Sequence, residues 1–155
     1  MRNAEYWISR LDLQPHPEGG YFKEIYTSPF FVNEKRLSTS IYFLLSGNEV
    51  SKFHRLASDE LWYYHDGSSL AIHMINPEGE HIRSFLGMNV EKGELPQVIV
   101  RAGAIFGSEL TDKSTYSLVG CLASPGFTYE DFKLYSEQEL LSLYPQHRTI
   151  IERLT

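Results

Sequence analysis

The stretch FHRLASDELWYYHDG, residues 53–67, holds two histidines, a glutamate after an acidic neighbour, three consecutive aromatics and a closing Asp66-Gly67 turn signal. Strand alternation from Glu60 puts Trp62 and Tyr64 on one face and turns Leu61, Tyr63 and His65 to the other. If the first face is interior, His54, Glu60 and their aromatic neighbours meet inside. That leaves three readings: a metal centre, an acid–base pair, or two packed strands that carry incidental polar groups.

Outward from this stretch the same β-type composition continues. Nine short runs lie between Tyr21 and about residue 122, among them STSIYFLLSG (38–47), LAIHMI (70–75) and TYSLVGCLA (115–123). Turn formers separate them: Ser46-Gly47-Asn48, Asn76-Pro77-Glu78-Gly79, Lys92-Gly93 and Ala102-Gly103. No helical period intervenes, so crossover helices for a parallel sheet are lacking and an antiparallel sandwich or barrel is expected.

Helical spacing occurs only at the ends. Ala4, Trp7, Ile8 and Leu11 form one face of a short N-terminal helix, followed by the loop QPHPEGG. Ser136 with Glu139 has the form of a capping box before a helix over 137–144 that stops at Pro145. A last short helix from about 147 carries Ile150, Ile151 and Leu154. All three are expected to pack on the outside of the barrel.

The 155 residues suit one domain with a sizeable core. Twenty acidic residues outweigh fourteen basic ones, giving a net charge of −6, and no basic cluster exceeds Lys35-Arg36, which argues against nucleic acid. MRNAEYWISRLDL lacks the apolar core of a secretion signal, and no apolar run approaches the ~20 residues of a membrane span. A cytoplasmic protein with no membrane partner is expected. The single cysteine, Cys121, reads as a small buried hydrophobe.

One spacing is more specific than composition. Gly47, His54, Glu60 and Gly67 stand as Gly-x6-His-x5-Glu-x6-Gly, which resembles the first cupin signature, Gly-x5-His-x-His-x3-Glu-x6-Gly. Leu56 replaces the second histidine. In GELPQVIVRAGAIFGSEL (93–110), at the place of the second signature, Arg101 stands for its proline, Phe106 for the third histidine and Leu110 for its asparagine. HPEGGYF, STSIYFLL, PQVIVRAG, SLVGCLASPGF and the ending LLSLYP…IIERLT extend the likeness along nearly the whole chain. Together these segments resemble the Cupin_5 family, formerly a domain of unknown function.

The resemblance implies an all-β, single-domain cupin-type jelly-roll β-barrel across residues 1–155, with the barrel over about 20–123 and a helical segment over about 136–154. It also implies a homodimer. Of the family's metal ligands only His54 and Glu60 remain, too few for a firm site unless His16, Glu18, His65 or His73 completes it. The expectation is therefore no metal cofactor, with one divalent ion on His54 and Glu60 as the alternative.

Metal-free cupins include sugar-nucleotide epimerases that pair a histidine base with a tyrosine acid. By analogy His54 is the base, Glu60 its orienting partner and Tyr64 the acid, with Tyr63 taking that role if the register shifts. His16 and Glu18, on a loop stiffened by prolines, are expected to meet the ligand at the barrel mouth. Phe106 is placed with them, and Trp62 either stacks on the ligand or fills the core. Arg55 is expected to form a structural ion pair with Asp59 or another acid. The candidate functions are a metal-independent isomerase or epimerase on a small polar, carbohydrate-like ligand, a non-catalytic small-molecule binder, or a metal-dependent enzyme with an incomplete ligand set.

Overall fold

The computed structural model describes residues 1–155. Helix α1 (Ala4–Leu11) starts where the Asn3 side chain accepts a hydrogen bond from the Tyr6 N–H and ends at Asp12 in the left-handed conformation. Fourteen strands follow: β1 (Gln14–Pro15), β2 (Tyr21–Thr27), β3 (Phe31–Val32), β4 (Lys35–Arg36), β5 (Thr39–Ser46), β6 (Val50–Arg55), β7 (Asp59–Gly67), β8 (Leu70–Ile75), β9 (His81–Leu86), β10 (Glu94–Leu95), β11 (Gln97–Val100), β12 (Ile105–Leu110), β13 (Tyr116–Ser124) and β14 (Lys133–Leu134). The nine longer strands are the nine runs read from the sequence; the other five are two-residue additions. Helices α2 (Glu137–Leu143) and α3 (Arg148–Arg153) close the chain.

The strands form two six-stranded sheets, ordered β1-β2-β5-β13-β7-β11 and β10-β9-β8-β12-β6-β14, while β3 and β4 make a separate hairpin. Every pairing in the two sheets is antiparallel except β9 with β10. No hydrogen bonds join the sheets into a closed cylinder, so the jelly roll is a sandwich with open ends. Inward residues alternate along each strand. Phe43, Trp62 and Val119 from the first sheet meet Ile72, Met74 and Phe106 from the second, all buried.

Both outer faces are covered where they are apolar. Trp7, Ile8 and Leu11 of α1 pack on Leu44 and Leu118 of the first sheet. Trp7 Nε1–H also donates to Asp66 Oδ2 at 3.0 Å, and the Tyr116 hydroxyl donates to the same oxygen at 2.7 Å. On the second sheet, Phe53, Ile75 and Ile105 are covered by Leu140, Ile150, Ile151 and Leu154 from the C-terminal helices. The capping box at the start of α2 is formed as expected, with the Glu139 N–H donating to Ser136 Oγ at 3.2 Å and the Ser136 N–H donating to Glu139 Oε2 at 3.0 Å. Backbone bonds tie this cover to the sheet: the Phe53 N–H donates to the Leu154 carbonyl at 2.9 Å and the Tyr135 N–H to the Phe53 carbonyl at 3.1 Å.

One expected ion pair is replaced. Asp59 accepts from Arg101 Nη1 at 3.3 Å and from the Ala102 N–H at 2.8 Å, while the Arg55 guanidinium lies over the Tyr135 ring. Arg55 does face away from the interior, but the β11–β12 connection reaches Asp59 first.

Candidate functional site

The loop between α1 and β2 carries the first half of the site. Gly19 and Gly20 have φ of +111° and +74°, and a Cβ on Gly19 would stand 2.1 Å from the Val50 carbonyl oxygen. Only glycine permits that approach, and it presses the loop onto β6. The Lys52 N–H then donates to the Glu18 carbonyl at 2.9 Å, which fixes the Glu18 side chain inside the sandwich with 9% of its surface exposed.

On β6, alternation sends Ser51 and His54 inward, β6 being irregular where it pairs with β12 between Phe106 and Ser108. Ser51 Oγ–H donates to Glu18 Oε1 at 3.2 Å, and His54 Nε2 lies 3.1 Å from Glu18 Oε2. The other imidazole nitrogen, Nδ1, is 2.7 Å from the Lys52 carbonyl oxygen, so it carries a proton and donates it there. Nε2 is thus aimed at Glu18. One proton shared between these two atoms leaves the pair with no net charge, which is the state that burial favours.

His16 completes this side. Its Nδ1 accepts the Glu18 N–H at 3.1 Å and its ring packs edge-on to Phe22 at 4.5 Å between centroids. Burial lowers both His16 and His54 to about 4, so both imidazoles are neutral at pH 7. Glu18 is raised well above the ordinary carboxylate range, first by burial and then by the neighbouring Glu60 charge.

Glu60, on β7, faces the pair from the opposite sheet. Burial raises it to about 7, against the smaller opposing effect of the neighbouring Cys121 thiol. Its Oε2 atom has no hydrogen-bond partner. Cys121 in turn is pushed well up by burial and by Glu60 and Glu18, so its thiol stays protonated and is a poor nucleophile.

These groups line the base of a pocket of about 120 Å³ that opens to solvent. Phe22, Ile41, Leu56 and Phe132 form its walls, and Phe127 and Tyr129 stand at the mouth. Apolar walls with a few convergent polar groups are those of a small-molecule site, here a small one.

His16, Glu18, His54 and Glu60 are therefore brought together, but not in the expected relation. The carboxylate on the imidazole is Glu18, and no hydrogen bond joins His54 to Glu60. Tyr64, expected as the acid, lies outside the pocket lining and donates its hydroxyl to the Gly67 carbonyl at 2.7 Å. It shares the face of Glu60 but sits four residues further along β7, about 13 Å at strand rise. Tyr63, its substitute, does not line the pocket either.

Trp62 and Phe106 also stand behind the pocket and not in it. Trp62 is core, edge-on to Phe43 at 6.0 Å and to Phe106 at 6.3 Å. Phe106 packs on the His54 ring at 4.1 Å. His65 is exposed, and His73 is buried on the second sheet, 3.0 Å from His81 Nε2 through its Nδ1. Cys121 was unexpected in the site; the alternation Val119, Cys121, Ala123 on β13, opposite β7, is the signal that places it.

The donor set does not fit a cupin-type metal ion. Leu56 and Phe106 occupy two ligand positions with hydrocarbon, and His54 Nε2 is turned to Glu18. No group of three or more His, Cys, Asp or Glu side chains has the geometry to hold an ion.

A two-sheet jelly roll with a polar cluster at one end of its interior is the architecture of a cupin. The chain belongs to the Cupin_5 family of the Cupin superfamily (DUF985), whose model matches residues 5–135. Among solved structures, protein SO0799 from Shewanella oneidensis is 48% identical with a TM-score of 0.96, over 100% of this chain and 98% of that one. A hypothetical protein from Leishmania major is 42% identical with a TM-score of 0.93, over 99% of each chain. The uncharacterized Saccharomyces cerevisiae protein YML079W is 29% identical over 88% of this chain and 77% of its own. Oxalate decarboxylase from Bacillus subtilis shares the fold alone, with a TM-score of 0.61 at 14% identity over 94% of this chain and 37% of that one. No helix is long and apolar enough to cross a membrane.

Proposed function

We propose that this protein binds a small polar, carbohydrate-like molecule in the pocket and moves protons on it without a metal, as an isomerase or epimerase. The observation that supports this reading is the placement of Glu60, raised to about 7, across a pocket from a Glu18–His54 pair that holds one proton. Groups poised near neutral pH are those that exchange protons with substrate. The Glu60 carboxylate takes the proton from a carbon beside a carbonyl, the C–H electrons become the C=C bond of an enol, and the carbonyl oxygen receives the proton of the pair. Return of that proton from Glu60 to the neighbouring carbon, while the hydroxyl on the first carbon gives its proton to the Glu18–His54 pair, isomerises the carbonyl and restores both groups. In epimerisation the enol O–H returns its proton to the pair, a solvent proton reaches the opposite face of the carbon and Glu60 releases its own to solvent. The acid role expected of Tyr64 passes to Glu18 and His54. Assembly as a homodimer belongs to the same reading, supported by Ile25, Tyr26, Phe31 and Val32, which are exposed on and beside β2.

The test is hydrogen exchange. Aldoses and ketoses incubated with the protein in D2O should exchange the proton next to the carbonyl, seen by NMR, and Glu60→Gln should slow that exchange by about 10²-fold or more. A ligand that saturates the pocket and never exchanges would replace catalysis with plain binding.

A further inference from the structure

The pocket is unusual in the sign of its charge. Three carboxylates belong to it, Glu18 and Glu60 at the base and Glu24 near the rim, and no lysine or arginine lines it. The nearby cations are committed elsewhere: Arg55 lies over Tyr135, Arg36 over Phe31, and Lys23 Nζ is 3.2 Å from Asp12. A phosphate or carboxylate entering here would find no counter-charge and would force Glu60 to stay protonated.

Two further observations point to a cation. Glu60 lines the pocket base at 8% exposure, and its Oε2, itself shut off from solvent, accepts no hydrogen bond, so the carboxylate is short of a donor. Phe127 and Tyr129 at the mouth and Phe132 on the wall form a triangle with ring centroids 5.0, 5.8 and 6.3 Å apart. Aromatic faces of this kind attract ammonium groups and gain nothing from anions.

We infer that the ligand of this pocket carries a protonated amine and no anionic group, the amine entering past the aromatic rings and pairing with the Glu60 carboxylate. The inference rests on the pocket as the ligand site and not on turnover. Charges then close. His16 and His54 are neutral, the Glu18–His54 pair has zero net charge, Cys121 keeps its proton, and an ammonium against ionised Glu60 leaves the base of the site neutral. Because burial raises Glu60 to about 7, amine binding near neutral pH releases protons from it. Combined with the proposed proton transfer, the substrate class is an amino sugar or a similar amino-carbonyl compound, whose ammonium also keeps Glu60 in its basic form.

A matched panel tests this: glucosamine, glucose and gluconate, with 2-aminoethanol, ethylene glycol and glycolate as smaller counterparts. Thermal shift and calorimetry at pH 7 should rank amine above alcohol, by about tenfold in Kd, with the acids inert. Calorimetry in two buffers of different ionisation enthalpy should show proton release with the amine alone. Glu60→Gln should abolish the preference for the amine, and Tyr129→Ala, on the exposed rim, should weaken amine binding about two- to fivefold. Acids that stabilise the protein as much as amines, a panel without preference, or no shift from any member would overturn the inference. Amine binding without deuterium exchange would sink the isomerase reading and leave this one standing; exchange on neutral sugars alone would do the reverse.

Discussion

Replacing Glu60 by glutamine should make the protein more stable in alkaline solution and change its pH dependence in a calculable way. Glu60 is raised from 4.5 to about 7 by burial. A folded pKa above the unfolded one means that the folded state binds the proton more tightly, so the stabilisation is complete below pH 4.5 and is lost as pH rises through about 7. The difference of about 2.5 units, at roughly 1.4 kcal/mol per unit, amounts to about 3 kcal/mol between pH 4.5 and pH 8. Glutamine keeps the shape but cannot ionise. His16, His54 and His73, each lowered to about 4, act in the opposite sense, losing stability as pH falls from 6.5, and the total curve mixes both signs. The difference between wild type and Glu60→Gln cancels the histidines. Urea denaturation followed by tryptophan fluorescence at pH 4.5 and pH 8 measures it directly. The advantage of the glutamine variant should grow by about 3 kcal/mol across that interval. A change under about 1 kcal/mol would mean that Glu60 titrates like a solvated carboxylate, and the acid–base reading of the pocket would go with it.

Tyr64→Phe should leave ligand binding and any exchange activity unchanged and lower stability by about 1 kcal/mol, the worth of its bond to the Gly67 carbonyl, as read by thermal unfolding. Leu140→Ala should cost about 2–5 kcal/mol by loosening the helical cover on Phe53 and Ile151, measured by the shift in urea midpoint. Light scattering at micromolar concentration should give twice the chain mass, and Phe31→Glu on the exposed hairpin should return it to one; wild type running as a clean monomer would remove the dimer from the reading.

Features set by neighbours in sequence were legible. Nine strands follow from alternation and turn chemistry over a few residues each, and the Ser136–Glu139 capping box is a three-residue relation. What failed was distance along or across the sheet. Alternation gives the face of Tyr64 but not its depth, and four residues of rise carry it out of the pocket. The Glu18–His54 contact joins a loop to β6 across the fold. The two glycines after Glu18 announce a close approach of backbones, yet their partners, the carbonyls of Val50 and Leu44, are defined only once the sheets are packed. Arg55 and Asp59 show the same limit, since the preferred partner of Asp59 is forty-two residues distant.

The two departures at the metal-ligand positions of the cupin pattern have a single physical consequence. Leucine at 56 and phenylalanine at 106 remove two lone pairs and put hydrocarbon in the pocket wall and against the face of His54. In that low-dielectric surrounding a lone charge is expensive, which depresses His54 and raises Glu60. Glu18, supplied by the HPEGG loop and hydrogen-bonded by Ser51, then gives the imidazole a partner with which to share a proton, in place of a second histidine. The substitutions that take apart the usual ligand set thus produce two proton-exchanging groups facing one pocket, one of them near pH 7. Restoring a histidine at 56 would reintroduce a polar, water-retaining wall, so the pKa of Glu60 should fall back toward 4.5, and the pH dependence described above should flatten with it.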